Sequence, residues 1–272
     1  MKTLLLEEMT WPEIGRAIEE GYKTVIVAAG SIEQHGKHLP IGTDTMLGYL
    51  RATSIAEALG HTLVAPVIRH GWSDEHLTFP GTISVQVDLL KELCRAYCRC
   101  LCQHGFECVI LIPTHGGNIQ AMKEVAPELD AELPCRVVAP RASLENPRME
   151  KATDPILARY GVTRGEGGLH SGFIETSLLL ASPYGHLVNM DVAERGFVGD
   201  GIARIQEVKK DWQRNEADVA PNTRCWNMAD ITPIGVLGDP AKASAKAGRE
   251  LLAASVAVYV EMVKEALAEM PA

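Results

Sequence analysis

The sequence predicts an α/β fold: one domain with a mostly parallel central sheet flanked by helices. Three observations carry that reading. Short β-branched apolar runs alternate with amphipathic stretches of helical length. The runs are apolar on both faces, as strands between two helix layers must be. No stretch rich in Pro, Ser or charge divides the 272 residues, and no repeat or low-complexity tract interrupts them.

In chain order, MTWPEIGRAIEEGY (9–22) reads as a helix, with Trp11 and Pro12 at its start and Gly21 as a stop signal. KTVIVAAG (23–30) is a buried strand. TDTMLGYLRATSIAEALG (43–60) is a second helix capped by Asp44 or a neighbour, and HTLVAPVIRHG (61–71) a second strand. VDLLKELCRAYCRCLCQHG and ECVILIPTHGGN repeat the unit, and a helix from Asn118 to roughly Glu128 with the strand CRVVAPRA completes a fourth. From Leu144 to Gly168 the periodicity weakens, which suggests a helix plus a mobile loop near the site. ETSLLLASP resumes a helix, residues 191–240 read as irregular, and a last helix is expected from about Ala241 to Glu269.

Composition excludes several function classes. A formal charge of -9 without clustered Lys or Arg argues against a nucleic-acid or anionic-membrane partner, because counterion release needs such clusters. The N-terminal apolar run meets Glu7 and Glu8 at once and lacks a small-residue cleavage site, so it does not read as a signal peptide. No run is long enough for a membrane span, and the expected location is the cytoplasm. Seven cysteines, an odd number, do not suggest a disulfide framework. Cys94, Cys98 and Cys102 fall at i, i+4 and i+8: either a thiolate site or small buried side chains on a helix facing a sheet. The missing paired CxxC spacing favours the second reading.

In α/β sheets ligands bind beyond the carboxyl ends of strands, and three such junctions are polar here. GSIEQHGKHLPIGTD (30–44) carries Glu33, His35, His38 and Asp44; Glu33 and His35, two apart, share a side if the chain stays extended. Imidazole and carboxylate suit a divalent ion of the zinc, manganese or iron type, although a capping Asp44 and a solvated Glu33 fit the local spacing as well. ILIPTHGGN ends a strand in His115, and Gly116 and Gly117 let the backbone turn tightly beside a ligand. GGLHSGFIETS adds His170 and Glu175, the latter also a favourable charge at a helix start.

These stretches, with GWSDEHLTFPGTIS (71–84) and GVLGDPAKAS (235–244), occur in the order seen in the creatininase (creatinine amidohydrolase) family, which the chain resembles over nearly its whole length. The resemblance implies two divalent metal ions (Zn, Mn or Fe). One would be held by Glu33, His115 and Asp44, the other by His35, Asp44 and Glu175, with Asp44 bridging. His38 matches no ligand position and is expected beside the site or in the core. Such ions acidify water and polarise a carbonyl oxygen. His170 would move the proton from water to the leaving nitrogen, with Glu175 the other residue assigned to catalysis. The implied reaction is hydrolysis of a non-peptide C–N bond in a small cyclic amide or a formamide, by a homo-oligomer that is hexameric in relatives.

Departures narrow the substrate. Creatinine-hydrolysing relatives carry Glu where this chain has Gly117, an acid where it has Leu169, and tryptophans over the substrate; here no Trp occurs between Trp72 and Trp212. The deformylase branch has a Glu in the place of Phe173. Trp72, His76 and Phe173 are instead expected to line a pocket for a compact polar ring. Two other readings stay open: ring opening of a lactone or a cyclic ketone such as a keto-inositol, and an inactive metal-binding or regulatory module.

Overall fold

A computed structural model describes residues 2–140, 146–214 and 226–268. Four parallel strands form one sheet in the order β2-β1-β3-β4: β1 (Thr24–Ala29), β2 (Thr62–Val64), β3 (Cys108–Pro113) and β4 (Arg136–Val138). The helices are α1 (Trp11–Glu19), α2 (Thr43–Leu59), α3 (Val87–Gln103), α4 (Ile119–Glu132), α5 (Pro147–Arg159), α6 (Arg164–Gly167), α7 (Phe173–Ala181), α8 (Gly201–Arg214) and α9 (Ala245–Ala268).

The apolar runs divide between two cores as strand alternation requires. Val25, Val27 and Ala29 of β1 and Val109 and Leu111 of β3 face α1, α3 and α4. Ile26 and Ala28, with Ile110 and Ile112, face α2, α5 and α9. Cys94 and Cys98 are fully buried in the first core and Cys102 is partly buried against it, so the cysteine stripe packs on the sheet. Helices α3 and α4 lie parallel, and a ladder with a constant separation in sequence marks their register: Lys91–Glu124 at 2.6 Å, Arg95–Glu128 at 2.6 Å and Arg99–Glu132 at 2.9 Å. These exposed pairs fix alignment more than stability.

Two expectations need correction. Residues 191–240 contain α8, whose Asp200 side chain accepts from the Ala203 amide as an N-cap. Ile202, Ile205 and Val208 recur every three residues within a charged stretch, a stripe too narrow to stand out from sequence. Between 144 and 168 the expected helix is α5, capped by Asn146, while the expected loop carries a short helix, α6, started by a Thr163–Glu166 capping box. Residues 144 and 145 lie outside the described residues, as does Glu269 at the end of the last helix. Strands β2 and β4 are also shorter than expected, since Pro66 and Pro140 stand just beyond them and cannot donate to a ladder. Among the described residues no helix is long and apolar enough to cross a membrane.

Helix α9 crosses α7 so closely that a Cβ on Gly248 would stand 1.8 Å from the Ser177 carbonyl oxygen. Gly248→Ala is therefore expected to destabilise the protein by about 1–3 kcal/mol through overpacking. Gly15→Ala, in the open interior of α1 with nothing within 4 Å, should stabilise it by roughly 0.5–1 kcal/mol. Urea midpoints of the two variants should move in opposite directions; a shared direction would contradict this packing.

Candidate metal centre

The site lies beyond the carboxyl ends of β1 and β3. After Ala29 the chain turns at Gly30, against which the first turn of α2 packs so tightly that a Cβ would lie 2.7 Å from the Thr45 nitrogen. That approach sets Glu33 and His35, both fully buried, beside Asp44. The N-cap of α2 is Gly42 rather than Asp44, and the Asp44 carboxylate turns into the site. Its Oδ1 lies 3.5 Å from His35 Nε2 and its Oδ2 3.4 Å from His115 Nδ1.

The imidazoles are oriented from behind. His115 donates from Nε2 to the Trp72 carbonyl at 2.8 Å, which leaves Nδ1 facing Glu33 Oε2 at 3.1 Å. His35 donates from Nδ1 to the Glu33 carbonyl at 3.2 Å, turning Nε2 towards Asp44 and towards Glu175 Oε2 at 3.8 Å. Glu175, on the first turn of α7, is steadied by the Ser171 amide, which donates to Oε2 at 2.6 Å. Such outer partners fix the tautomer and aim of metal-binding groups.

Three buried atoms in this cluster have no hydrogen-bond partner: Glu33 Oε1, His35 Nε2 and Asp44 Oδ2. Orphaned polar atoms are rare in folded interiors, and here they face one another. Glu33, His35 and Asp44 can offer ligand atoms within 4.8 Å of each other, as can His35, His170 and Glu175, and Glu33, His76 and His170. The donor set, nitrogen and carboxylate oxygen, suits a borderline divalent ion. The residues present therefore fit a metal.

Without a cation, protons take its place. Burial opposes charging His35, but Asp44, Glu175 and Glu33 raise it to about 10. Burial likewise opposes charging His115, yet Glu33 and Asp44 lift it well above the ordinary imidazole range. Against the same burial, His115 and His76 hold the Glu33 carboxyl well below its usual range. Glu175 is pushed up by burial and by the Asp44 charge. An imidazole must lose its proton to bind a metal. Uptake near neutral pH should thus release protons and strengthen as pH rises from about 6 to 8. Manganese titrations by calorimetry in buffers of different ionisation enthalpy test this; affinity independent of pH would contradict it.

The remaining expected residues divide. His170 stacks against His35 and His76, with ring centroids 4.2 and 4.7 Å apart, and its Nδ1 lies 3.6 Å from Glu33 Oε1. Burial holds it well below its ordinary value, so the ring is neutral. His76 lines the cavity as expected but also reaches Glu33 Oε1 at 3.5 Å, closer to the centre than a pocket wall alone. Trp72 lines the cavity too. Phe173 does not: it is fully buried and packs on Tyr160 in the core between α7 and α9, because a first-turn residue of α7 neighbouring Glu175 in sequence faces away from it. His38 bonds to Thr176 Oγ1 at 2.9 Å and lies outside the ligand groups.

Two residues escaped sequence reasoning. Ser73 donates from Oγ to Glu33 Oε2 at 2.5 Å, and Glu75, 7% exposed, is raised to about 7 by burial. Their place in GWSDEHLTFPGT, the stretch that also brings Trp72 and His76, was the available signal. The cavity beside the centre holds about 520 Å³. Leu169, Ile205, Trp226 and Met228 border it, so the missed helix α8 forms part of the wall.

A family model described as Creatininase, creatinine amidohydrolase, matches residues 7–263. The mycofactocin precursor peptide peptidase of Mycolicibacterium smegmatis is 28% identical over 251 residues, covering 88% of this chain and 84% of that protein. The creatinine amidohydrolase of Pseudomonas putida is 27% identical over 198 residues, covering 70% and 75%. A solved structure titled "Creatininase Mn" superposes with a TM-score of 0.70 at 22% identity, covering 97% of this chain and 98% of the other.

Proposed function

Since the chain belongs to the creatininase family of metal-dependent amidohydrolases, we propose that it hydrolyses an amide C–N bond at a dinuclear centre formed by Glu33, His35, Asp44, His115 and Glu175. The observation that carries this reading is the Asp44 carboxylate, with one oxygen turned to His35 and the other to His115. Glu33, His115 and Asp44 would hold one ion, and His35, Asp44 and Glu175 the other. When bound, the ions supply Lewis acidity to a carbonyl oxygen and lower the pKa of water.

The chain's own groups handle the proton. His170 donates from Nε2 to the Gln34 carbonyl at 2.8 Å, so its neutral ring presents Nδ1 as an acceptor towards Glu33 Oε1. A proton taken from the attacking water at Nδ1 is stabilised by that carboxylate and then passed to the departing nitrogen, which leaves as a neutral amine. Trp72 and His76 border the substrate space, and buried surroundings strengthen each of these interactions.

A cyclic amide or a formamide is the first substrate class, and the relative named a peptide peptidase adds a peptide amide. The test is hydrolysis of cyclic amides, formamides, short peptides and cyclic ketones by protein loaded with Zn²⁺, Mn²⁺ or Fe²⁺. At least one amide class should be cleaved, activity should vanish with chelator, and His170→Ala should lower it by roughly 100-fold or more. Cleavage confined to ketones, or unaffected by chelator, would overturn the proposal.

A further inference from the structure

The cavity continues inward from the ligand cluster along α2, α5, α7 and α9. Arg51 stands seven residues beyond Asp44, two turns along the same face of α2, and also borders the space. Tyr259 of α9, 2% exposed, borders the same space, as do the nearly inaccessible Met149, Leu178 and Leu251.

Both polar groups lack partners. Arg51 makes no hydrogen bond or ion pair among the described residues, and its Nε is sealed from solvent. The Tyr259 hydroxyl makes no hydrogen bond there either, although buried tyrosines usually find one. Arg51 is close enough for its charge to be felt at Tyr259 and at Glu175, yet it forms no ion pair with Glu175. Arg51 is half-buried; leaving its sealed Nε without a partner is costly, and a bound anion removes that cost. Its planar fork matches a carboxylate, with a hydroxyl to supply a third donor. The nearby Glu175 charge disfavours a dianion such as phosphate.

We propose that Arg51 and Tyr259 form a carboxylate-binding subsite, so that the amide cleaved at the metal centre carries a free carboxylate set off by a short apolar spacer. The inference rests on the hydrolase reading and names its substrate class. An amide without a carboxylate leaves Arg51 unpaired and binds more weakly.

The test compares N-acyl amino acids and dipeptides, as free acids and as C-terminal carboxamides, on metal-loaded protein. The acid should exceed its carboxamide in kcat/KM by roughly 10- to 100-fold, the worth of a charge-assisted pair. Arg51→Gln should collapse that ratio towards one through KM, Tyr259→Phe should reduce it by a smaller factor, and Arg51→Lys should restore part of it. An acid-to-carboxamide ratio near one in the wild type, or a ratio unchanged in Arg51→Gln, would overturn the subsite. So would loss of metal in Arg51→Gln, which would make Arg51 the counter-charge of Glu175.

A binding measurement separates this idea from the hydrolase reading. Zinc-loaded protein should bind N-benzoylglycine at least tenfold more tightly than N-benzoylglycinamide, and Arg51→Gln should lose that preference. Direct carboxylate contact with zinc is common to both proteins, so only the part of the preference that Arg51→Gln removes belongs to the subsite. Preference without turnover of any amide would sink the reaction and keep the subsite; no preference, or no binding of either compound, would sink the subsite.

Discussion

Asp44→Ala is expected to lose both metal ions and on the order of 1,000-fold or more of activity while the protein stays folded. The carboxylate sits on the first turn of α2, free of capping duty, with its two oxygens directed at imidazoles from the β1 and β3 loops. Removing it takes a ligand from each proposed ion at once, whereas removing His35 or His115 takes one. The packing of α2 rests on Leu47, Ala52, Ile55 and Ala56, which the substitution leaves in place. His38→Ala is the matched control. His38 is buried, belongs to none of the ligand groups and bonds through Nε2 to Thr176, so its loss should leave both ions bound. Elemental analysis beside thermal melting distinguishes the two variants. Equal metal content in Asp44→Ala and the wild type would contradict the bridging role.

Gly117→Ala should destabilise the protein by about 1–3 kcal/mol and weaken metal binding by roughly 10- to 100-fold. A Cβ at this position would stand 2.3 Å from the Trp72 carbonyl oxygen and 2.5 Å from His115 Nε2. Those two atoms form the hydrogen bond that aims His115 at Glu33, so a side chain here forces that bond apart. Gly117→Glu should fail in the same way, since the Trp72 carbonyl and the His115 ring both stand in its path. Metal affinity and urea midpoints measured together check this; a stable Gly117→Ala protein with unchanged affinity would contradict the steric account.

The fold was legible where burial writes a local pattern. Runs such as TVIVAA and CVILIP are apolar at every position because helices cover both faces of the sheet. Helix α8 was not, since its narrow Ile202–Ile205–Val208 stripe interrupts a charged segment. At the site, Glu33, His35, Asp44, His115 and Glu175 could be named because each follows a strand end or opens a helix within a dense motif. Phe173 was misplaced because neighbours on a first helical turn face different ways. His76 was placed at the pocket wall, but its contact with Glu33 depends on a loop path that no spacing encodes. Arg51 and Tyr259 lie on two helices 208 positions apart, as the sequence numbering shows, and only the packing of α9 near α2 brings them to one cavity.

A dinuclear centre that performs the reaction can be observed by titrating metal-free protein with Mn²⁺ while counting bound ions and following amide hydrolysis. Two ions should bind per chain, with hydrolysis rising to its maximum as the second ion fills. Full activity with no ion or with a single ion per chain would contradict it.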